Sequence, residues 1–207
     1  MRKAAVRWAW AALVAASTAG AEPRLWFSKS FPGSTPAYVE IAVEPGGACQ
    51  YKEAPDDELP VKLQLAEADA KAMFDFAEKL DRFSRPLESP LKVANMGVKT
   101  FRFEDGARKS EVRFNFSEDL DARALLDWFE RISETGQLFI NLERSVKYDK
   151  LGVNKAILLM ESSLEHKRLV SAPAFLPLLD RVAKNESYLN MARARAAAIA
   201  DAIRAAQ

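Results

Sequence analysis

The sequence predicts an α+β fold: one antiparallel sheet built from two hairpin–helix units with helices packed on one face, followed by an α-helical C-terminal extension. Three observations predict it. Short stretches alternate apolar and polar residues and are bounded by Gly/Pro turns, which is the pattern of half-buried strands. Longer stretches carry apolar stripes at helical spacing. Residues 61–80 and 112–132 also resemble each other along their length, as a repeated strand–helix unit would.

The chain opens Met1-Arg2-Lys3-Ala4-Ala5-Val6-Arg7, with three cations and no acid. An uncharged apolar run, Trp8 to Ala16, follows, and then the small residues Ser17 to Ala21. A positive start, a short apolar run and a small-residue exit define a secretory signal peptide over 1–21, cleaved after Ala21. A spanning helix needs roughly 20 apolar residues, and this run is shorter. With no cysteine near the exit, a bacterial lipid anchor has no attachment point. No transmembrane span is expected after cleavage, and the expected location is periplasmic or secreted.

Leu25 to Phe31 reads as a first strand and Pro32-Gly33-Ser34-Thr35-Pro36 as a turn. In Tyr38 to Glu44, Val39, Ile41 and Val43 point one way and Glu40 and Glu44 the other. Pro45-Gly46-Gly47 turns this strand into another carrying Cys49 and Tyr51. After the acidic loop Ala54 to Glu58 comes an alternating Val61 to Leu65. Ala70, Met73, Phe74, Ala77 and Leu80 then mark a helix over Glu67 to Leu80. Ser84 to Pro90 is a linker. A second hairpin, Val98 to Glu104 and Arg108 to Phe116, closes around Asp105-Gly106, a strong turn pair. Ser117 or Asp119 caps a further helix with the stripe Leu125, Phe129 and Ile132.

The two halves align. Val61 to Glu67 sits over Val112 to Glu118, and after one extra residue Asp69 to Leu80 sits over Asp121 to Ile132. Of 19 aligned pairs, 7 are identical and 11 conservative. A shared hydrophobic pattern explains the apolar matches but not Gln64/Asn115, Asp69/Asp121 and Asp75/Asp127. The alignment predicts an internal duplication around 48–80 and 98–132 within an α+β domain over 22–135. Repeated units usually cover each other's apolar faces.

Residues 136–207 form a helical C-terminal region. Gln137 to Lys147 continues the stripe through Phe139, Ile140 and Val146, with Gly136 as a candidate break. Asp149 is a candidate cap for a helix from Leu151 to Arg168, and Pro173 suits a helix start. In Glu186 to Ala206, the residues Leu189, Ala192, Ala196, Ile199 and Ile203 make a seam for close helix packing. That seam serves either the chain's own core or a homo-oligomer through the C-terminal helices.

The chain is 49% hydrophobic and 29% charged with both signs interspersed, the composition of an ordinary globular protein. Loss of the three cations Arg2, Lys3 and Arg7 would take the net charge from +1 to −2. With no basic block, nucleic acid is not an expected partner. Cys49, the only cysteine, reads as a buried core thiol, or else as one half of an intermolecular disulfide.

Residue chemistry points to no site. His166 is the only histidine and sits in a charged helix end near Ser162 and Ser163. One histidine and one cysteine match no zinc spacing. Asp56-Asp57-Glu58 reads as a solvated turn and lacks the spacing of a calcium loop. No catalytic, cofactor-binding or metal-ligating residue is assigned, and no cofactor is implied.

Thr35-Pro36-Ala37-Tyr38, the alternating strand, Pro45-Gly46-Gly47 and Tyr51 resemble a family of exported bacterial proteins of unknown function. Its members carry Cys-Pro-x-Tyr, a strand, an Asp-Gly turn and another strand. Here Thr35 replaces the cysteine and Gly46-Gly47 replaces Asp-Gly, and the likeness spans Leu25 to Ser133. The hairpin–helix layout is also similar in architecture to β-lactamase inhibitor proteins, which are secreted binders. Neither resemblance supplies catalytic residues.

The resulting expectation is a non-enzymatic binding or protein-interaction module of the bacterial envelope. Its partner would be a protein or another envelope ligand, held on the solvent face or edge of the sheet, with Trp26 the leading aromatic. The alternatives are a carboxylate-dependent hydrolase of envelope polymers and a structural, self-associating envelope protein.

Overall fold

The computed structural model describes residues 22–206, and the export segment read at Met1–Ala21 lies outside the described residues. Six strands form one sheet: β1 (Arg24–Ser30), β2 (Tyr38–Val43), β3 (Ala48–Lys52), β4 (Val61–Gln64), β5 (Val98–Asp105) and β6 (Arg108–Phe114). Their order is β4-β3-β2-β1-β5-β6, and every neighbouring pair is antiparallel. The two outer hairpins, β3–β4 and β5–β6, therefore stand at opposite edges with β2 and β1 between them. Five α-helices complete the described residues: α1 (Glu67–Lys79), α2 (Leu120–Tyr148), α3 (Val153–Glu165), α4 (Leu176–Lys184) and α5 (Asn190–Ala205).

Alternation sets which face is buried. Leu25 and Phe27 of β1, Val39, Ile41 and Val43 of β2, and Phe101 and Phe103 of β5 all turn toward the helices and are 6% exposed or less. The turn before β3 requires glycine at 47. Its φ is +83°, and a Cβ there would lie 2.8 Å from the Gln64 amide nitrogen. Phe101 centres the core, its ring 5.9 Å from Phe27, 5.2 Å from Phe83, 5.0 Å from Phe114 and 5.6 Å from Phe129. Such aromatic pairs add about 0.5–1.5 kcal/mol each beyond their burial.

Each helix of the two units crosses to the other half of the sheet. α2 follows β6 at one edge yet packs against β2, β3 and β4. α1 follows β4 at the other edge, and its Phe74 ring meets Phe103 of β5 edge-on at 6.3 Å. The short 3-10 turn Asp81–Phe83 then lies against β5 and β6.

α2 is the organising element. Asp119 caps it, its side chain accepting from the Asp121 and Ala122 amides. The helix runs unbroken through Gly136, so that residue is no break. The first half of α2 gives Leu125, Phe129 and Ile132 to the sheet core. Its second half gives Leu142 and Val146 to a separate core shared with α3, α4 and α5. Asp149 does not begin the next helix. It ends α2, its amide bonded to the Ser145 carbonyl, while its carboxylate receives the Gly152 amide at 3.0 Å. The expected Leu151–Arg168 helix is accordingly shorter, Val153–Glu165, and α5 begins at Asn190 rather than Glu186. Ala192, Ala196, Ile199 and Ile203 of the α5 seam are buried within the chain, whereas Leu189, just before the helix, is 51% exposed.

The segment between α3 and α4 fastens the helical region to the sheet. Arg168 binds Glu134 through two bonds of 2.7 and 2.8 Å and Asp127 through one of 2.9 Å. The Val170 amide donates to the buried Thr135 hydroxyl, and Ser171 Oγ accepts the Gln64 amide of β4 at 2.9 Å. No helix among the described residues is long and apolar enough to cross a membrane.

Candidate functional site

The same alternation that buries one face of the sheet sends Arg24, Trp26, Ala42, Glu44, Gln50 and Lys62 to the other, which no α-helix among the described residues covers. Cross-strand register lines up Lys62, Gln50, Ala42, Trp26, Arg102 and Glu111 in one row across all six strands. Trp26 stands on a central strand. Arg102 on β5 lies over its ring, 3.8 Å from the centroid. On β2 its neighbour is Ala42, whose methyl group is too small to cover the indole on that side.

Arg102 is fixed in turn, its Nε donating to Glu111 Oε2 at 2.9 Å. Burial alone would raise the Glu111 carboxyl. Hydrogen bonds from Arg102 and Arg113 outweigh that and hold it below the usual carboxylate range. Farther along the face, Tyr38 donates to Glu40 at 2.7 Å. Burial first, and then the Glu40 carboxylate, push the Tyr38 phenol well above its ordinary value.

Beside Trp26 the face sinks into an open trough of about 700 Å³. The alanines at 42 and 48 form its floor. Arg24, Glu44, Gln50, Lys62 and Gln64 supply its polar lining, and Ser171, Pro173 and Ala174 wall it beyond β4. Arg24 and Glu44 pair at 2.7 Å. The trough thus offers amide, guanidinium and carboxylate groups beside an aromatic plane, the elements of a polar recognition surface.

Glycoside hydrolysis by a carboxyl pair needs one carboxyl kept protonated near another carboxylate. Every carboxylate on this face has a cation instead: Glu40 with Lys52 at 3.7 Å, Glu44 with Arg24, Glu104 with Arg102 at 3.5 Å, and Glu111 with Arg102 and Arg113.

The β4 edge is partly occupied, and the chain around β6 is tied down by side-chain bonds. β4 has only four residues, and Ser171 takes its Gln64 amide. Along β6, Ser110 Oγ donates to the Arg82 carbonyl, and just beyond the strand the Asn115 amide donates to Glu88 at 2.5 Å.

Of the other residues singled out in the sequence, Cys49 adjoins the trough from its strand but turns its side chain inward, and the rest lie apart from this face. Cys49 is a free, buried thiol pointing into the core. His166 lies exposed at the end of α3, its Nδ1 2.7 Å from the Ser162 carbonyl oxygen. Asp57 accepts the Leu59 amide at 2.9 Å in a solvent-facing turn. Among the described residues no group of His, Cys, Asp and Glu is arranged to hold a metal ion. Arg102 and the Ser171–Ala174 wall escaped the sequence reading, because each meets the site through pairing between distant parts of the chain. No protein-family model matches this chain, and comparison with curated proteins finds no match.

Proposed function

We propose that the protein is an exported, non-enzymatic binding module of the bacterial envelope that takes an envelope ligand on the open face of its sheet. The observation that carries this reading is the row from Lys62 to Glu111, with Trp26 held by Arg102 at its centre and the trough alongside. Trp26, Arg102 and Glu111 are fixed by one another, so little ordering entropy is lost when a ligand settles on them. Export rests on the charged, apolar and small-residue segments of 1–21. The resemblance to exported bacterial proteins points the same way. Self-association through the α5 seam has less to recommend it, since the seam's alanines and isoleucines are used inside the chain.

The test is affinity capture from the native envelope with the protein lacking residues 1–21, compared with its Trp26→Ala and Lys62→Glu forms. The reading expects a partner retained by the parent and lost or depleted about tenfold, 1.4 kcal/mol, by each variant. Undiminished capture by both variants overturns the sheet face as the site. Recovery of the protein from the host cytosol with residues 1–21 intact overturns the envelope assignment.

We also propose that the two hairpin–helix units descend from a duplication. Gln64 and Asn115 align with each other, and each donates from its side-chain amide to a carbonyl just ahead of its own hairpin, Gly46 at 2.8 Å and Ala94 at 3.0 Å. A shared hydrophobic pattern has no reason to reproduce that bond.

A further inference from the structure

On the helix-facing side of the sheet, away from the trough, two lysines stand side by side. β1 and β5 are neighbours, and their register places Lys29 opposite Lys99. Both continue the inward alternation of Phe27 and Phe101, where the rest of the row is apolar. Lys99 is only 4% exposed. Its ammonium donates to the Asn115 carbonyl at 2.6 Å and to those of Met96 and Gly97 at 3.3 Å each. Three carbonyls match the three N–H donors of the charged form.

The lysines open onto a cavity of about 270 Å³ between β5, β6 and α2. Phe114 and Leu126 give it apolar wall, and Arg123 and Glu130 of α2 face in beside Lys29. Among the described residues, none of Lys29, Lys99, Arg123 and Glu130 forms an ion pair within 4.0 Å. The lining thus holds three cations and one carboxylate, with Lys99 buried, Lys29 half-buried, and Arg123 and Glu130 exposed at the rim. Burial, and then the Lys29 charge, push the Lys99 ammonium toward its neutral form, while Glu130 and Glu88 oppose this. The carbonyls hold the charge of Lys99. Lys29 and Arg123 are left without a direct anionic partner among the described residues, beside an apolar wall.

We propose that this cavity binds a small amphipathic monocarboxylate, its head at Lys29 and Arg123 and its apolar tail against Phe114 and Leu126. Two cations without an ion-pair partner offer a carboxylate charge-assisted hydrogen bonds, and the adjoining wall offers its tail apolar surface to cover. At ~30 Å³ for each water of liquid, the space equals roughly nine waters, the size of a short-chain acid rather than a lipid. The site stands on a different face from the trough and does not depend on what the trough binds.

Octanoate, octanol and octylamine serve as probes in calorimetric titrations of the protein lacking residues 1–21. Octanoate is expected to bind saturably, octanol about tenfold more weakly, and octylamine not measurably. Lys29→Gln should weaken octanoate about tenfold with a urea midpoint no lower than the parent's, since the Lys29 side chain bonds nothing in the fold and its charge only repels Lys99. Leu126→Trp, which fills the cavity, should abolish octanoate binding, with far-UV circular dichroism confirming that it is folded. Equal affinity for octanol and octanoate would reduce the site to a greasy hole and overturn the proposal. So would octanoate binding unaffected by Lys29→Gln, or no saturable binding at millimolar octanoate.

Discussion

Gly136 of α2 lies flat against the ring of Tyr51 on β3: a Cβ at this position would fall 2.6 Å from the ring's Cγ and 2.7 Å from Cε1. Tyr51 is 0% exposed, and its hydroxyl donates to Glu53 at 2.9 Å, so the ring has nowhere to retreat. The glycine is a notch cut for that ring.

Gly136→Ala is therefore expected to destabilise the protein. Alanine is better than glycine in a helix by about 1 kcal/mol, but forcing a methyl group into a packed core costs about 1–3 kcal/mol. The clash falls on the inner atoms of a held ring, so the larger cost should prevail. Urea midpoints of the parent, Gly136→Ala and Gly136→Ala/Tyr51→Leu would show it, with the double variant recovering part of the loss. A Gly136→Ala protein as stable as the parent would refute the notch.

Thr135 stands one position earlier, fully buried, accepting the Val170 amide at 3.1 Å and donating to the Arg131 carbonyl at 2.9 Å. Thr135→Val keeps the shape and leaves a buried N–H with no acceptor, a loss of about 1–3 kcal/mol. Faster hydrogen exchange at the Val170 amide should accompany it. Unchanged exchange would mean that this link does not fasten the tail.

Asp119 should act through both its cap and its charge. The hydrogen bond from Arg85, more than any other influence, holds its carboxyl below the ordinary 3.8. A carboxyl depressed in the folded state contributes stability above its unfolded value and loses it as pH falls through the folded one. Asp119→Ala is expected to cost about 1–2 kcal/mol at neutral pH. Asp119→Asn should keep most of the cap and flatten the acid limb of the stability profile. Identical acid limbs for the parent and Asp119→Asn would contradict this.

The alkaline limb should belong in part to Cys49. Burial pushes its thiol from 9.0 up to about 12. A raised value means stability fully present below pH 9.0 and lost as pH climbs toward the folded value, because only the unfolded chain ionises readily. Burial also raises the Tyr51 phenol, so it adds to the same limb. Cys49→Ala should shift the onset of alkaline unfolding upward. A thiol reagent should label the native protein only at the rate of global unfolding, and rapid labelling in native buffer would show an accessible thiol instead.

Much of the fold was legible because its causes are local. Alternation in Val39, Ile41 and Val43 and the turn at Asp105-Gly106 are settled by neighbours in sequence. The misreadings share the opposite property. Gly136 looked like a helix break because its partner is a tyrosine on β3, far back in the chain. Asp149 has the residue type of an N-cap but is consumed in closing the preceding helix and tethering Gly152. Trp26 could be singled out as an aromatic of a first strand, yet the guanidinium over its ring comes from β5, which no local pattern pairs with β1. The same non-local pairing sets Lys29 beside Lys99. Two lysines in separate stretches read as ordinary solvated charges until the strand order is known.

The continuity of α2 has a consequence for dissecting the protein. A truncation ending at Tyr148 would retain the whole sheet and its helices, yet Leu142 and Val146 would be stripped of their packing and turned to water. The fragment would carry a greasy handle prone to self-association. Removing that handle by stopping before Gln137 would in turn delete Phe139, Ile140 and the last turns that steady Gly136 beneath Tyr51. The two halves are welded along one rod, so neither can be cut away cleanly, and melting of the whole should follow a single transition.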